Sequence, residues 1–325
     1  MERRKYLYGI GAAAGMLVLI LDGKTALAGA RSGIELCLMT VIPALFPFIV
    51  LSVLLSGALL GASILPLRPV GKILKMPAGT ESLLLCAFLG GYPSGAVAVS
   101  EAFRAGSLSK DTAERLLSFC NNAGPAFLFG MTLSLFPDAG AAWLLWGIHI
   151  LSALAVGILI PGKEYSPVKL KKGGSSIGVI KKSITVMATV CAWVILFRII
   201  ITFLDRWILW LFPPEVRVAV IGVLELSNGC CSLTLVNDVR VRLILCSGML
   251  ALGGLCVTMQ TLSVTKGLAS KKYFQGKLIQ FAFSILFCVG LAYQIWWFFP
   301  FLAGVIYLCA RKNKKISGIS AANRV

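Results

Sequence analysis

Four short interruptions within apolar stretches hold most of the residues that could do chemistry. They are the Gly-Gly-Tyr-Pro-Ser-Gly run at 90–95, the Asn-Asn-Ala-Gly-Pro run at 121–125, Ser-Asn-Gly at 227–229 and Gly-Gly at 253–254. Unpaired backbone at membrane depth is tolerated only where protein buries it or where it lines a wet cavity. Each interruption begins a half-helix, whose N-terminus offers free N–H groups and about half a positive charge. Several such termini meeting at one point would bind a carboxylate or another polar solute.

Close helix packing is the alternative explanation for these glycines, because small residues let membrane helices approach each other. Packing is the favoured explanation for Gly253-Gly254, but it does not call for the Pro and paired Asn of the first two motifs. We therefore predict a binding site there. The candidate substrate-binding residues are Gly91, Tyr92, Pro93, Ser94, Gly95, Asn121, Asn122, Gly124, Glu225, Ser227, Asn228, Gly229 and Gln260.

Among the ionisable residues inside apolar segments, where burial is costly and a functional role is common, we single out three. Glu225 could carry a coupling proton, ligate a cation or accept hydrogen bonds from a substrate, or it could be an interfacial residue near a mouth. Arg198 could pair with an anionic ligand, or Asp205 could neutralise it from two turns along the same face. His149, the only histidine, favours a packing or interface role over a proton relay.

The composition places these residues in a membrane. The 325 residues are 58% hydrophobic and 14% charged, with a mean hydropathy of +0.88, which disfavours a soluble enzyme and a secreted disulfide scaffold. In so apolar a chain, the net charge of +18 is better explained by basic cytoplasmic loops than by nucleic-acid binding. Metal-ligand spacing is absent among the ten cysteines, which we interpret as small buried hydrophobes. No enzyme motif is present, so we expect no catalytic residues, no metal and no cofactor.

Apolar segments and basic loops together predict the topology, starting from a retained first helix with a cytoplasmic N-terminus. The ten apolar segments are 6–22, 33–62, 81–104, 112–136, 139–161, 183–204, 215–236, 241–264, 277–295 and 297–310. The basic loops hold Arg68, Lys72 and Lys75; Lys163, Lys169, Lys171, Lys172, Lys181 and Lys182; Lys266, Lys271, Lys272 and Lys277; and Arg311, Lys312, Lys314 and Lys315. If every segment crossed, the lysine-rich loop at 163–182 would lie outside, whereas all four loops fall in the cytoplasm if segments 81–104 and 215–236 enter and leave on the same side.

This solution predicts an all-α polytopic membrane protein with an inverted-repeat transporter core, two re-entrant helical hairpins and broken transmembrane helices. Each repeat has a long span, then a glycine-broken hairpin, then a glycine-broken span. The predicted units are an N-terminal transmembrane helix (1–32), a first gate-type repeat (33–136), a connecting helix and basic cytoplasmic loop (137–182), a second, inverted gate-type repeat (183–264), and C-terminal transmembrane helices with a basic tail (265–325).

The motif residues resemble a known family. The runs at 88–96, 115–127 and 224–229 are similar to those of the YlbJ (SpoVV) family of sporulation integral membrane proteins. That family belongs to the nucleoside-recognition or gate-domain group, which resembles the core of concentrative nucleoside transporters. The resemblance covers roughly residues 33–264. Its G-Y-P-x-G and N-N-x-G-P motifs are fairly specific, whereas E-L-x-x-G is weaker.

The resemblance implies a role in endospore formation, in which members move dipicolinic acid from the mother cell across the outer forespore membrane. It implies a multi-pass protein of the bacterial cell membrane whose partners are a small anionic solute, the lipid bilayer, and either a second copy or other sporulation membrane proteins. Two other functions stay open. One is a nucleoside transporter coupled to protons or sodium, and the other is a forespore membrane scaffold that transports nothing.

Overall fold

The chain folds entirely into helices within the part that the structure describes. This computed structural model describes residues 2–136, 138, 140–160, 162, 176–297, 300, 302–304 and 306–308. The helices are α1 (Glu2–Leu21), α2 (Gly23–Leu36), α3 (Ile42–Leu59), α4 (Arg68–Ile73), α5 (Glu81–Leu89), α6 (Ser94–Arg104), α7 (Lys110–Leu117), α8 (Pro125–Thr132), α9 (Gly140–Leu159), α10 (Ser176–Trp207), α11 (Pro214–Leu224), α12 (Leu226–Ser232), α13 (Val239–Leu252), α14 (Gly254–Val264) and α15 (Lys271–Ala292).

Five helical stretches are long and apolar enough to cross a membrane, which agrees with the predicted all-α polytopic class. They are Gly23–Leu59, Gly140–Leu159, Gly178–Trp207, Val239–Val264 and Lys271–Ala292. The first joins α2 and α3 through one wide turn at Cys37–Val41, so the predicted segment at 33–62 begins ten residues earlier than expected. Gly29 and Gly33 let α2 pack closely on α10, because a Cβ at either position would lie 2.9 Å from backbone of that helix.

The order of helix types occurs twice along the chain. A long helix (α3 or α10) precedes two short helices packed against each other (α5 with α6, α11 with α12). A helix with a break follows (α7 and α8, α13 and α14), and an unbroken helix (α9 or α15) comes last. Gly253 ends α13 in the left-handed conformation, with φ +76°, which favours glycine. The interruptions at 90–95, 121–125 and 253–254 therefore coincide with breaks between helices, whereas Ser227–Gly229 lies within α12, directly after the break at Glu225.

Most of the described basic segments meet at one end of the molecule, here called the basic end. The contacts that join them are Arg115 with the carbonyl oxygens of Leu74 and Ile160, Arg104 with that of Val264, Lys182 with Glu101, and Lys272 with Asp111. The start of α5 also lies here, since the side chain of Glu81 approaches Gly71 of α4. Both ends of the α5–α6 pair therefore lie at the basic end.

The opposite end, here called the far end, holds a different set of helix termini. Its contacts are Arg206 with Asp22, Arg217 with Asp205, Arg242 with the carbonyl oxygens of Leu135 and Val236, and Arg240 over the ring of Tyr293. The α11–α12 pair starts beside Arg217 and ends just before Val236. Its two ends thus lie at the far end, opposite to those of the α5–α6 pair.

Three expectations from the sequence need correction. Asp205 accepts a hydrogen bond from Arg217 at 3.1 Å, so it does not neutralise Arg198. Lys277 is no loop residue, because it lies within α15 and is only 3% exposed. Of the nine described cysteines, seven are buried, but Cys191 is half-buried and Cys231 is exposed. The lysines at 163, 169, 171 and 172, and the basic tail from 311 on, lie outside the described residues.

Candidate functional site

A small cavity lies where the broken segments of two series of helices meet. We call α3 to α9 the first unit and α10 to α15 the second unit. Its volume is about 30 Å³, enough for one or two water molecules. Tyr92 and Gly124 line it from the first unit, and Glu225, Ser227 and Gln260 line it from the second. The remaining wall is mostly apolar and comes from Val41, Leu45, Ala123, Phe127, Val190, Val194, Leu226 and Val257.

Glycines bring the turn between α5 and α6 against the break between α7 and α8. A Cβ at Gly124 would lie 2.7 Å from the backbone nitrogen of Gly91. A Cβ at Gly95 would overlap the carbonyl oxygen of Cys120. These two segments therefore touch backbone to backbone, and together they form the first unit's wall of the cavity.

The second unit has an equivalent close approach. A Cβ at Gly229 of α12 would overlap Cα of Gly222 in α11. A Cβ at Gly254, at the start of α14, would lie 2.8 Å from the carbonyl oxygen of Gly222. Gly222 thus lets the α11–α12 pair pack on the break between α13 and α14, as Gly95 and Gly124 do in the first unit.

Glu225 caps α12 and is 1% exposed. One carboxylate oxygen accepts the N–H of Ser227 at 3.0 Å, and the other accepts the N–H of Asn228 at 2.6 Å. The side-chain amide of Asn228 donates to the second oxygen as well, at 2.7 Å. The carboxylate therefore occupies the free N–H groups at the start of α12, so this helix does not offer them to a substrate.

This capping role predicts a measurable loss of stability in Glu225→Gln. The amide keeps one acceptor oxygen but turns an NH₂ group towards donors, so at least one buried hydrogen bond is lost. We expect the free energy of unfolding to fall by about 1–3 kcal/mol, measured as a lower Tm of the purified protein in detergent. Glu215→Gln is the matched control because Glu215 is exposed in the first turn of α11. Equal Tm values for the two variants would contradict the capping role.

Arg198 extends this network instead of facing the cavity. Its Nη1 donates to Oδ1 of Asn228 at 2.9 Å, and its Nε donates to the hydroxyl of Ser32 at 3.0 Å. Arg198 therefore ties α10 to α2 and to the Asn228 amide that supports Glu225. It does not line the cavity in this conformation.

The paired asparagines lie behind the cavity wall and are fully buried. Asn121 donates from Nδ2 to the hydroxyl of Thr261 at 2.8 Å, which connects the first break to α14. Asn122 donates to the carbonyl oxygen of Phe119 at 2.7 Å and accepts from Gln280 of α15 at 2.9 Å. The asparagines hold the first break against two later helices and do not point into the cavity.

His149 also supports the first break, as its predicted packing role implied. Its Nε2 accepts the backbone N–H of Ala123 at 3.0 Å, which satisfies a donor freed by the interruption. Ala123 itself lines the cavity. His149 therefore positions part of the cavity wall from α9.

Lys277 is the central residue that the sequence analysis missed. Its Nζ donates to the hydroxyl of Tyr92 and to the carbonyl oxygen of Asn121, both at 2.7 Å, and to Oε1 of Gln280 at 2.9 Å. In the sequence Lys277 closely follows Lys271 and Lys272, so it was assigned with them to a basic cytoplasmic loop. The available signal was a polar stripe within an apolar helix, since Lys277, Gln280 and Ser284 share one face at helical spacing.

The predicted site residues fall into two groups. Tyr92, Gly124, Glu225, Ser227 and Gln260 line the cavity. The others support the cavity wall or lie beside it: Gly91, Pro93, Ser94, Gly95, Asn121, Asn122, Asn228, Gly229 and Arg198. Within the described residues, no cluster of His, Cys, Asp and Glu could hold a metal ion.

Comparison with known proteins identifies a distant relative. Over 163 residues the chain is 29% identical to the sporulation integral membrane protein YlbJ of Bacillus subtilis (strain 168). The match covers 47% of this chain and 39% of the relative, so it spans about two fifths of that protein's length. No family model matches the chain, and no solved structure matches it. The relative and the long apolar helices together support an integral membrane protein.

Proposed function

We propose that this protein is a sporulation membrane transporter that moves a small anionic solute, with dipicolinic acid as the foremost candidate. The observation that carries the proposal is the cavity between the two repeated units, lined by broken-helix backbone from both. Such breaks are tolerated in a membrane only where protein buries them or where they line a wet cavity, and here several of them meet at one. In transporters built from inverted repeats, the substrate binds where broken helices of the two repeats meet.

The placement of the helix pairs supports an inverted repeat. The α5–α6 pair starts and ends at the basic end, whereas the α11–α12 pair starts and ends at the far end. We propose that both pairs are re-entrant hairpins and that the basic end faces the cytoplasm. The distant similarity to YlbJ supports a role in sporulation, and the outer forespore membrane is the location that we propose.

The size of the cavity indicates how transport would proceed. A volume of about 30 Å³ is too small for a dicarboxylate, so entry requires the α5–α6 and α11–α12 turns to separate from the breaks behind them. The closest contacts of Gly91 with Gly124, and of Gly254 with Gly222, are between backbone atoms, and we propose that the segments slide there. We propose that this conformation is occluded and that each turn opens towards its own end of the molecule.

The chemistry of the cavity wall keeps a nucleoside as the second candidate. In favour of an anion, α8 begins at Gly124 on the wall, and the buried ammonium of Lys277 lies directly behind Tyr92. In favour of a nucleoside, Glu225 and Gln260 line the wall, and carboxylate and amide oxygens accept hydrogen bonds from hydroxyl groups and bases.

Ligand-induced thermal stabilisation of the purified full chain separates these candidates. A ligand at one hundred times its Kd should stabilise the protein by about 2.7 kcal/mol. We expect a raised Tm with dipicolinate, and no change with uridine or with succinate at equal concentration. Stabilisation by uridine alone would favour the nucleoside transporter, and stabilisation by no compound would favour the scaffold.

The topology predicts opposite accessibility for two exposed residues in a cysteine-free background. Lys110→Cys at the basic end should react with a membrane-impermeant maleimide only after cells are opened, whereas Glu215→Cys at the far end should react in intact cells. Both side chains are exposed in the fold. If segments 81–104 and 215–236 each crossed the membrane once, the two results would be exchanged, and the inverted repeat would be wrong.

A further inference from the structure

The side-chain nitrogen of a buried lysine lies at the junction of the two helix breaks. Nζ of Lys277 is 2.7 Å from the hydroxyl oxygen of Tyr92, 2.7 Å from the carbonyl oxygen of Asn121, 2.9 Å from Oε1 of Gln280 and 3.3 Å from the carbonyl oxygen of Ala251. It also lies 4.7 Å from the centre of the Tyr92 ring. Four oxygen atoms around a single positive charge resemble the surroundings of a bound monovalent cation.

The backbone oxygens come from the C-terminal sides of two half-helices. Ala251 is in the last turn of α13, and Asn121 lies in the break that follows α7. The hydroxyl of Tyr92 also donates to the carbonyl oxygen of Leu250 at 3.1 Å. Helix C-termini carry partial negative charge, and in transporters with broken helices such ends coordinate the coupling cation.

No carboxylate among the described residues lies close enough to Lys277 to form an ion pair with it. The ion pairs within the described part of the chain do not include Lys277. A charge in a membrane interior without a counter-ion is expensive, so the carbonyl oxygens at the breaks supply most of its stabilisation. The same oxygens would repel one another if the positive charge were removed.

We propose that Lys277 is a tethered cation, which occupies the place that a soluble sodium ion would take at the two breaks. It joins α15 to the α5–α6 turn, to the first break and to the end of α13 at once. The protein then needs no alkali cation to hold these segments together. The contacts described above support the cation-like site itself. Only the conclusion that Lys277 replaces a coupling ion rests on the proposed transport function.

Removing the side chain should convert the tethered site into one that binds a free cation. Lys277→Ala leaves the four oxygens around an empty space, which sodium or n-propylammonium could enter. The n-propylammonium ion replaces the three carbon atoms and the ammonium group that the substitution removes. We expect the Tm of purified Lys277→Ala in choline chloride to lie well below that of the wild type. Sodium chloride or n-propylammonium chloride at the same concentration should recover at least half of the difference.

Two matched variants control this experiment. Lys277→Met fills the same space with an uncharged side chain, so neither cation should raise its Tm more than choline does. Lys272→Ala removes a half-buried lysine in the first turn of α15 that pairs with Asp111, and it should respond to the salts as the wild type does. The wild type should have the same Tm in sodium and in choline.

The proposal is overturned if Lys277→Ala gains no more from sodium or n-propylammonium than Lys277→Met, or if the wild type itself depends on sodium. Should Lys277→Ala fail to fold in choline, it is purified in each cation instead. Recovery of monodisperse protein only with sodium or n-propylammonium supports the proposal, and recovery in neither overturns it. This Tm measurement needs no substrate, so its outcome is independent of the proposed transport function. Either proposal can be correct while the other is wrong.

Discussion

Gly95→Ala is expected to destabilise the protein by at least about 3 kcal/mol, the upper end of the usual range for overpacking. The added methyl group would overlap the carbonyl oxygen of Cys120, which is backbone and belongs to the first break. Relief requires the α5–α6 turn to move away from the break, which also separates Gly91 from Gly124. We expect a large fall in Tm in detergent and a low yield of monodisperse protein.

Gly147→Ala is the matched control for this prediction. Gly147 also lies inside a helix, α9, but a Cβ there would meet no atom within 4 Å. Alanine favours helix over glycine by about 1 kcal/mol, so this variant should be as stable as the wild type or slightly more. If Gly95→Ala matched Gly147→Ala in Tm, the backbone contact between the α5–α6 turn and the first break would be wrong.

Arg115→Met is expected to cost at least about 3 kcal/mol, because it leaves several buried carbonyl oxygens without a donor and each such loss costs about 1–3 kcal/mol. Arg115 is 1% exposed and donates to the carbonyl oxygens of Leu74, Lys75, Gly157 and Ile160 at 2.6–3.3 Å. These oxygens end α4 and α9, whose last carbonyl groups have no partners within their own helices. Methionine would fill the volume but would leave those oxygens without this donor, so the basic end should loosen.

Two further variants separate this network from a general effect of charge. Arg115→Lys keeps the positive charge but cannot reach as many acceptors with one ammonium group, so its Tm should fall between those of wild type and Arg115→Met. Arg104→Met removes an exposed arginine at the same end, with a single bond to the carbonyl oxygen of Val264. A loss as large in Arg104→Met as in Arg115→Met would show that the buried network adds nothing specific.

The positions of the breaks could be predicted from the sequence because glycine, proline and asparagine end helices locally. The interruptions at Gly90–Gly95 and at Asn121–Gly124 needed no knowledge of distant contacts. The hypothesis that these breaks meet near Glu225 needed more than local signals. It rested on the charges of the loops, which were used to choose the topology of the whole chain. The loop charges also predict that the two helix pairs enter the membrane from opposite sides, and this stays a prediction of the transport proposal.

The roles of individual side chains could not be predicted in the same way, because they depend on partners far away in sequence. Glu225 looked free for a substrate, yet its oxygens are taken by the N–H groups of the next helix. Arg198 had Asp205 two turns along its own helix, but a side chain on α11, Arg217, reaches Asp205. Lys277 is close in sequence to Lys271 and Lys272, so the sequence places it in the same basic loop. Only tertiary packing distinguishes a lysine in the first turn of α15 from one that is buried further along the helix.

Uptake of labelled dipicolinate into proteoliposomes tests the central claim most directly, namely that the cavity between the two units is a transport site. Wild type and Gly147→Ala should accumulate dipicolinate well above empty liposomes. Glu225→Gln and Asn121→Ala, reconstituted as folded protein at equal density, should lose at least about tenfold, the effect of roughly 1.4 kcal/mol. No uptake by the wild type, or equal uptake by all four proteins, would contradict the account.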